Sequence, residues 1–333
     1  MTTSPLRGIG RWPRVAAKWY TKQGAGLTSQ WRRRSGEAVV ISDARTTPAP
    51  DRQPPPSQAV VGVVVAMEAE LRHLLERVEV ERETVDGPWR DRHLAIDGMP
   101  VVALCCGMGM VNAAAGAEHL IATYHPSALL NFGCSGAHTR EIAPGDVVIA
   151  DATVHHAALH ILADGSEHFV GSRYEVGGET MSAAEFAADP TLLALASAAA
   201  AAATLDPWPH ELGWPAALPY RAPTVHHGVV ASADTWTQAI DRLDRLHARH
   251  RSLCEEMEAA AIAHVAARHA VPFLAIKDIS NNEFHAASDI VGGFSDFPIE
   301  EVGKRAAAVT YGVLQRLAAT PVTGNRASDR PSG

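Results

Sequence analysis

Several features are scarce in this chain of 333 residues, and each scarcity removes a class of protein. Nowhere do about 18 apolar residues run together, the length a membrane-spanning helix needs, so no membrane partner is expected. Cysteine is limited to Cys105, Cys106, Cys134 and Cys254, which lack metal-ligand spacing and lie in apolar or helical stretches. They read as buried thiols in a reducing compartment, hence a cytoplasmic protein. No internal repeat is visible, which sets solenoids aside. Acidic residues are missing from Met1 to Gly36, and this asymmetry colours the whole charge balance. Residues 1–57 hold ten basic and three acidic side chains, a net +7, so the overall −8 leaves −15 for the remainder. A body so acidic is a poor binder of phosphate backbones, and no nucleic-acid partner is expected.

What is present divides the chain into three parts. Residues 1–57 read as a disordered basic tail and Pro-rich linker ending in Pro54-Pro55-Pro56. The apolar run after Arg32-Arg33-Arg34 is too short for a signal core. Residues 58–320 carry alternating strand and helix patterns, with an insertion near 204–223 that is rich in proline, and 321–333 read as a disordered C-terminal tail. Strands are expected at Ala59 to Ala66, Val101 to Cys105, Ala128 to Phe132, Asp146 to Ala150, Val225 to Ala231 and Phe273 to Lys277. Helices are expected from Met67 to Arg77, Val111 to Tyr124, Thr191 to Ala203, Glu255 to His269 and Pro298 to Leu317. Strands separated by helices imply a largely parallel sheet covered on both faces, with any ligand beyond the carboxyl ends of the strands.

Four segments at those ends carry suitable polar residues. Glu68 and Glu70 follow the first strand, where acids also simply complement a helix dipole. Gly107-Met108-Gly109 lacks the third glycine of a dinucleotide fingerprint and the lysine of a phosphate-binding loop, and tight turning explains it equally well. Asn131 to Gly136 precedes Pro144-Gly145-Asp146, and Glu255-Glu256-Met257-Glu258 is matched by Lys277-Asp278-Ile279-Ser280-Asn281-Asn282-Glu283. His155, His156 and His160, and His247 with His250, have helical spacing that suits a metal, yet no His-Glu-x-x-His accompanies them, so no metal is expected.

Taken in order, Ala66-Met67-Glu68-Ala69-Glu70, Gly107-Met108-Gly109, Asn131 to Gly136 with Pro144-Gly145-Asp146-Val147, Glu256-Met257-Glu258-Ala259 and Ile279-Ser280-Asn281 resemble the methylthioadenosine/S-adenosylhomocysteine nucleosidases of the nucleoside phosphorylase superfamily. The resemblance spans about Val60 to Leu317. It implies an α/β fold, three-layer α/β/α with a central mixed, largely parallel twisted sheet, assembled as a homodimer and needing no cofactor. It further implies hydrolysis of the N-glycosidic bond of a purine nucleoside, methylthioadenosine or S-adenosylhomocysteine in the first instance. By likeness, Glu70 polarises the attacking water, Glu258 holds the ribose hydroxyls, Met257 packs on the sugar, Trp236 stacks on the base and Thr237 offers backbone groups to its edge. Gly136, Ser280, Lys277 and Cys134 complete the expected substrate contacts, and Asn281 stands at the purine N7.

Three positions depart from that family. Asn281 replaces an aspartate that donates a proton to N7; an amide donates a hydrogen bond but no proton. Such an amide suits a 6-oxopurine, and futalosine hydrolases share Ile-Ser-Asn. Lys277 stands where arginine is usual and Cys134 where serine or threonine is usual. Asp278 or Glu283 is left to supply the missing acid. A phosphorylase, which needs arginines converging on its anion where this chain has Glu70, and a nucleoside-binding protein without turnover are the remaining alternatives.

Overall fold

The computed structural model describes residues 59–285 and 298–319; the expected tails at 1–57 and 321–333 lie outside them. The first strand, β1 (Val61–Val65), is apolar and buried along its whole length, as a strand covered on both faces must be. Helix α1 (Glu68–Leu75) follows at once. An antiparallel pair, β2 (Val80–Asp86) and β3 (Trp89–Ile96), then leads into β4 (Met99–Cys105). The sequence did not announce this pair, because β2 is the outer edge of the sheet and most of its residues face solvent, leaving no apolar alternation to read.

Helix α2 (Met110–Tyr124) precedes β5 (Ala128–Ala137) and β6 (Val147–His155), both longer than their apolar runs suggest. Two small antiparallel pairs follow, β7 (Leu159–Ile161) with β8 (Glu167–Phe169) and β9 (Ser172–Val176) with β10 (Glu179–Ala183), then β11 (Phe186–Ala187). Helix α3 (Pro190–Ala202) starts under the Asp189 carboxylate, which accepts from the N–H groups of Thr191 and Leu192. After β12 (Val225–Ser232) come α4 (Ile240–His250), β13 (Ser252–Glu256), α5 (Ala259–Arg268), β14 (Phe273–Asn281) and α6 (Lys304–Ala319).

One ten-stranded mixed sheet organises these elements. Its centre is parallel, with β1 between β4 and β5 and with β14 beside β5. Pairings of β5 with β14, β14 with β6, β6 with β12, β12 with β13 and β13 with β5 close five strands into a ring. Helices α2 and α5 pack together against one face, and α1, α3 and α6 against the other. Each face buries its own cluster, around Leu120, Leu129, Val230 and Ile262 on the first and around Leu71, Phe132, Ile276 and Leu314 on the second. This is the expected three-layer α/β/α arrangement.

Two expectations change. The helix expected from Glu255 begins at Ala259 instead, since Glu255 and Glu256 are the last residues of β13, in register with Ala231, Ser232 and Gly136. The helix expected from Pro298 begins at Lys304, its first turn being held by Asp278, which accepts from the N–H groups of Gly303 and Arg305. Within the proline-rich insertion, Trp208 and Trp214 are buried against Ala143 with Leu218 beside them, a small core of their own. Arg305 ties the insertion to α6 by donating to the carbonyls of Asp206 and Pro207 at 2.7 and 2.8 Å. Among the described residues no helix is long and apolar enough to cross a membrane.

A buried carboxylate fixes the end of β14. Asp146 accepts from Arg221 at 2.6 Å to each oxygen and from the N–H groups of Thr224 and Ala143. Its own backbone carbonyl accepts from Ile279, just before Ser280 and Asn281. Burial alone would push the Asp146 carboxyl up, but Arg221, His226 and those N–H groups pull it down to about 2. A carboxylate held below its unfolded value of 3.8 adds stability above that pH and loses it as the pH falls toward about 2. Asp146→Asn is therefore expected to cost about 2 kcal/mol at neutral pH and to flatten the acid limb below about pH 4, read by denaturant unfolding across pH.

Candidate active site

A cleft opens where β1, β5, β12, β13 and β14 end, the place an α/β sheet offers a ligand. Five glutamates reach its wall, Glu70, Glu255, Glu256, Glu258 and Glu283, and no arginine, lysine or histidine is among its described lining residues. So many carboxylates in one buried space need separate partners, and each has them.

Glu70 sits in the first turn of α1 and is 2% exposed. Its Oε2 accepts from the N–H of Met67 at 3.1 Å, the reciprocal half of a helix-capping arrangement, and its Oε1 accepts from the N–H of Cys134 at 2.7 Å. The carboxylate approaches β5 so closely that a Cβ at Gly133 would lie 2.6 Å from Oε1, and only glycine leaves that room. Burial raises its proton affinity, opposed by the Lys277 ammonium and the two N–H groups. The helix-dipole role and the pocket role of this residue are thus the same geometry.

Glu256 is paired with a buried ammonium. Lys277 Nζ lies 2.7 Å from Glu256 Oε2, both side chains almost fully buried, and the same carboxylate accepts from Ser232 Oγ and from the N–H groups of Glu258 and Ala259 at the start of α5. Burial works against the charge, yet Lys277 and these donors keep Glu256 below its usual range, and Lys277 above its own. Lys277, expected as a substrate contact, is not on the cleft wall: it lies beneath it, because its ammonium is drawn to Glu256.

Glu255 fixes the loop that follows β12. It accepts from Thr237 N–H at 2.7 Å and Thr237 Oγ1 at 3.1 Å, so the N–H expected to serve a base edge is already engaged. Behind it, His138 Nε2 and His156 Nε2 lie 3.4 and 3.8 Å from Glu255 Oε2, and burial holds His156 at about 4, hence neutral. The remaining histidines of that pattern form no metal cluster among the described residues. Trp236 and Met257 are half-buried on the cleft wall, as are Cys134 and Gly136.

Glu258 accepts from the N–H of Gly109 at 2.8 Å. Gly109 has φ of +104°, a conformation that glycine adopts without strain, which turns its N–H toward the carboxylate. Burial, then repulsion by Glu256, pushes Glu258 up to about 8.

Ser280, Asn281 and Glu283 form the last group. Ser280 Oγ donates to Asn281 Oδ1 at 2.9 Å, and Asn281 Nδ2 donates to Glu283 Oε1 at 2.8 Å. Asp278, the other acid considered at this end, is fully buried and turned to the start of α6, with burial raising it to about 6. Sequence reasoning therefore found Glu70, Trp236, Met257, Glu258, Ser280 and Asn281 on the wall, together with Cys134, Gly136 and Thr237. It gave no wall position to Ser135, Met108 or Glu255, whose spacing carries no separate signal.

The family model described as Phosphorylase superfamily matches residues 60–319. A 5'-methylthioadenosine/S-adenosylhomocysteine nucleosidase of Geobacillus thermodenitrificans is 31% identical over 246 residues, covering 74% of this chain and 90% of the relative. The solved S. pneumoniae 5'-methylthioadenosine/S-adenosylhomocysteine nucleosidase with a transition-state inhibitor superposes with TM-score 0.61 at 27% identity, over 78% of this chain and 99% of that one. A futalosine hydrolase from Helicobacter pylori superposes with TM-score 0.63 at 19% identity, over 78% and 99%, a likeness of fold.

Two tests follow from the charge arrangement. Lys277→Met leaves Glu256 buried without its ammonium and is expected to cost about 3–5 kcal/mol of stability by denaturant titration, with Lys277→Arg much milder. Glu258, raised from 4.5 to about 8, keeps its proton in the folded state while the unfolded chain loses it, so the wild type loses stability as the pH rises across that interval. Glu258→Gln is expected to remove that loss, and unfolding at pH 5 and pH 9 measures it.

Proposed function

Because this chain belongs to the phosphorylase superfamily, we propose that it hydrolyses the N-glycosidic bond of a purine nucleoside, 5'-methylthioadenosine or S-adenosylhomocysteine, releasing the base and a ribose derivative. The relatives named above support the reaction class. The observation that carries hydrolysis over phosphorolysis is Glu70: a buried carboxylate stands on a cleft wall whose described residues include five acids and no cation. Such a wall repels phosphate and suits water.

In this reading Glu70 takes a proton from water as that water attacks the anomeric carbon. Its raised proton affinity makes it a better base than a free carboxylate, and the N–H groups of Met67 and Cys134 hold its orientation. Glu258, Met257 and Trp236 bind the ribose and base, the Glu258 carboxyl, which favours its proton near neutrality, meeting the ribose hydroxyls and fixing the sugar for attack. The positive charge that builds on the sugar is stabilised by the surrounding carboxylates. The four free cysteines fit a reducing cytoplasm, and a homodimer is the assembly we assign.

A second reading has its own observation. Asn281 gives Oδ1 to Ser280 and one N–H to Glu283, so its second amide hydrogen can serve N7 of adenine or be shared with O6 of a 6-oxopurine such as futalosine. A panel scored by released base decides: adenine from methylthioadenosine is expected to exceed hypoxanthine from inosine or futalosine. Glu70→Gln is expected to lower kcat by about 10²–10⁴ with binding retained. Turnover strictly dependent on added phosphate would overturn the hydrolytic reading.

A further inference from the structure

Helix α2 begins without a cap of its own. Its N-cap is Gly109, which has no side chain to offer, and its first turn holds no acid, although the first N–H groups of a helix need acceptors and favour a negative charge. The acceptor comes from far along the chain. Asp234, just beyond β12, places Oδ1 2.7 Å from the N–H of Met110, the first residue of α2. The preceding N–H, that of Gly109, donates instead to Glu258 Oε1 at 2.8 Å. Two neighbouring N–H groups of one turn are thus held by two different carboxyl groups, and of these only Glu258 is among the described residues of the cleft wall.

The contact between Asp234 and this turn is close. A Cβ on Gly109 would lie 2.8 Å from Asp234 Oδ1, and a φ of +104° favours glycine there on backbone grounds as well. The backbone around Asp234 aims it. Thr235 N–H donates to the carbonyl of Ala233 at 2.7 Å, closing a three-residue turn about Asp234, and Ala233 N–H donates to the carbonyl of Glu256 at 3.2 Å. One residue earlier, Ser232 Oγ donates to Glu256 and accepts from the N–H of Ala260 at 2.9 Å. The segment that carries Asp234 is therefore fastened to residues on both sides of Glu258, which sets Asp234 and Glu258 in one frame with Gly109 between them.

We propose that Asp234 is a positioning residue for Glu258, fixing the direction of the Gly109 N–H and through it the orientation of the carboxyl that meets the ribose. The inference rests on the hydrolytic reading above, in which Glu258 binds the sugar. Gly107 and Gly109, both at positive φ, make the turn adaptable, so an anchor at its helical end decides where the Gly109 N–H points. One hydrogen bond orients a carboxyl only when its donor is itself held. Asp234 holds it by gripping the next N–H along the chain. With Oε1 so occupied, Oε2 of Glu258 is left to the ribose hydroxyls.

The test measures release of adenine by the full chain from methylthioadenosine and from its 2′,3′-dideoxy analogue, which has no ribose hydroxyl to hold. Asp234→Ala is expected to raise KM for methylthioadenosine about tenfold, with kcat within about threefold, and to leave KM for the dideoxy analogue within about twofold. Asp234→Asn, which keeps an oxygen for the Met110 N–H, is expected to bring KM back to within about threefold of wild type. An unchanged KM in Asp234→Ala overturns the proposal. So does a rise of equal size on both substrates, which would make the aspartate a cap for α2 and nothing more. If wild type releases no base from either substrate, the hydrolytic reading fails by itself, and binding of methylthioadenosine by calorimetry still reads the positioning. There a Kd about tenfold weaker in Asp234→Ala upholds it, and an equal Kd overturns it.

Discussion

Everything in this cleft depends on one buried ion pair. Five glutamates share a wall, and Lys277 is the ammonium set among them, 2.7 Å from Glu256. Its field reaches Glu70 and Glu258 as well, lowering the proton affinity of each against the burial that raises it. Without that charge the carboxylates would take up protons or push the wall apart. With it, three different states coexist in one space: Glu256 stays ionised, Glu258 favours its proton near neutrality, and Glu70 is a strengthened base.

The fold supplies the rest through strand ends. The ring of β5, β14, β6, β12 and β13 sets the ends of β5, β12, β13 and β14 around one opening, and backbone N–H groups there hold carboxylates that side chains alone would leave mobile. Support comes from behind as well. Asp146 bonds the backbone of Ile279 next to the Ser280–Asn281 pair and is itself clamped by Arg221 of the insertion. The insertion also meets α6 through Arg305. The proline-rich segment therefore braces β14, which carries part of the site, and α6 behind it, although none of its described residues lines the cleft.

Much of this was legible in the residues and some of it was not, for reasons that particular positions make plain. Position after a buried β-branched strand put Glu68 and Glu70 at a strand end, and the family resemblance singled out Glu70. The glycines at 107 and 109 read equally well as a tight turn, and only coordinates show the close approaches of Gly109 to Asp234, Gly133 to Glu70 and Gly136 to Asn281. Glu255 and Glu256 read as the start of a helix, since two adjacent acids rarely end a buried strand. They do so here because Lys277, far along the chain on β14, compensates one and Thr237 the other. Lys277 looked like a ligand contact for the same reason in reverse, its buried partner being invisible in one dimension. The edge strand β2 left no periodic trace, being mostly exposed.

Whether water is the nucleophile is the point on which the account stands, and isotope tracing reads it most directly. A single turnover of methylthioadenosine in ¹⁸O-water, followed by mass analysis of the sugar, is expected to place the heavy oxygen on the anomeric carbon in the first product formed, with no phosphate present. A sugar that forms without the label, or that appears only as its 1-phosphate, would contradict the account.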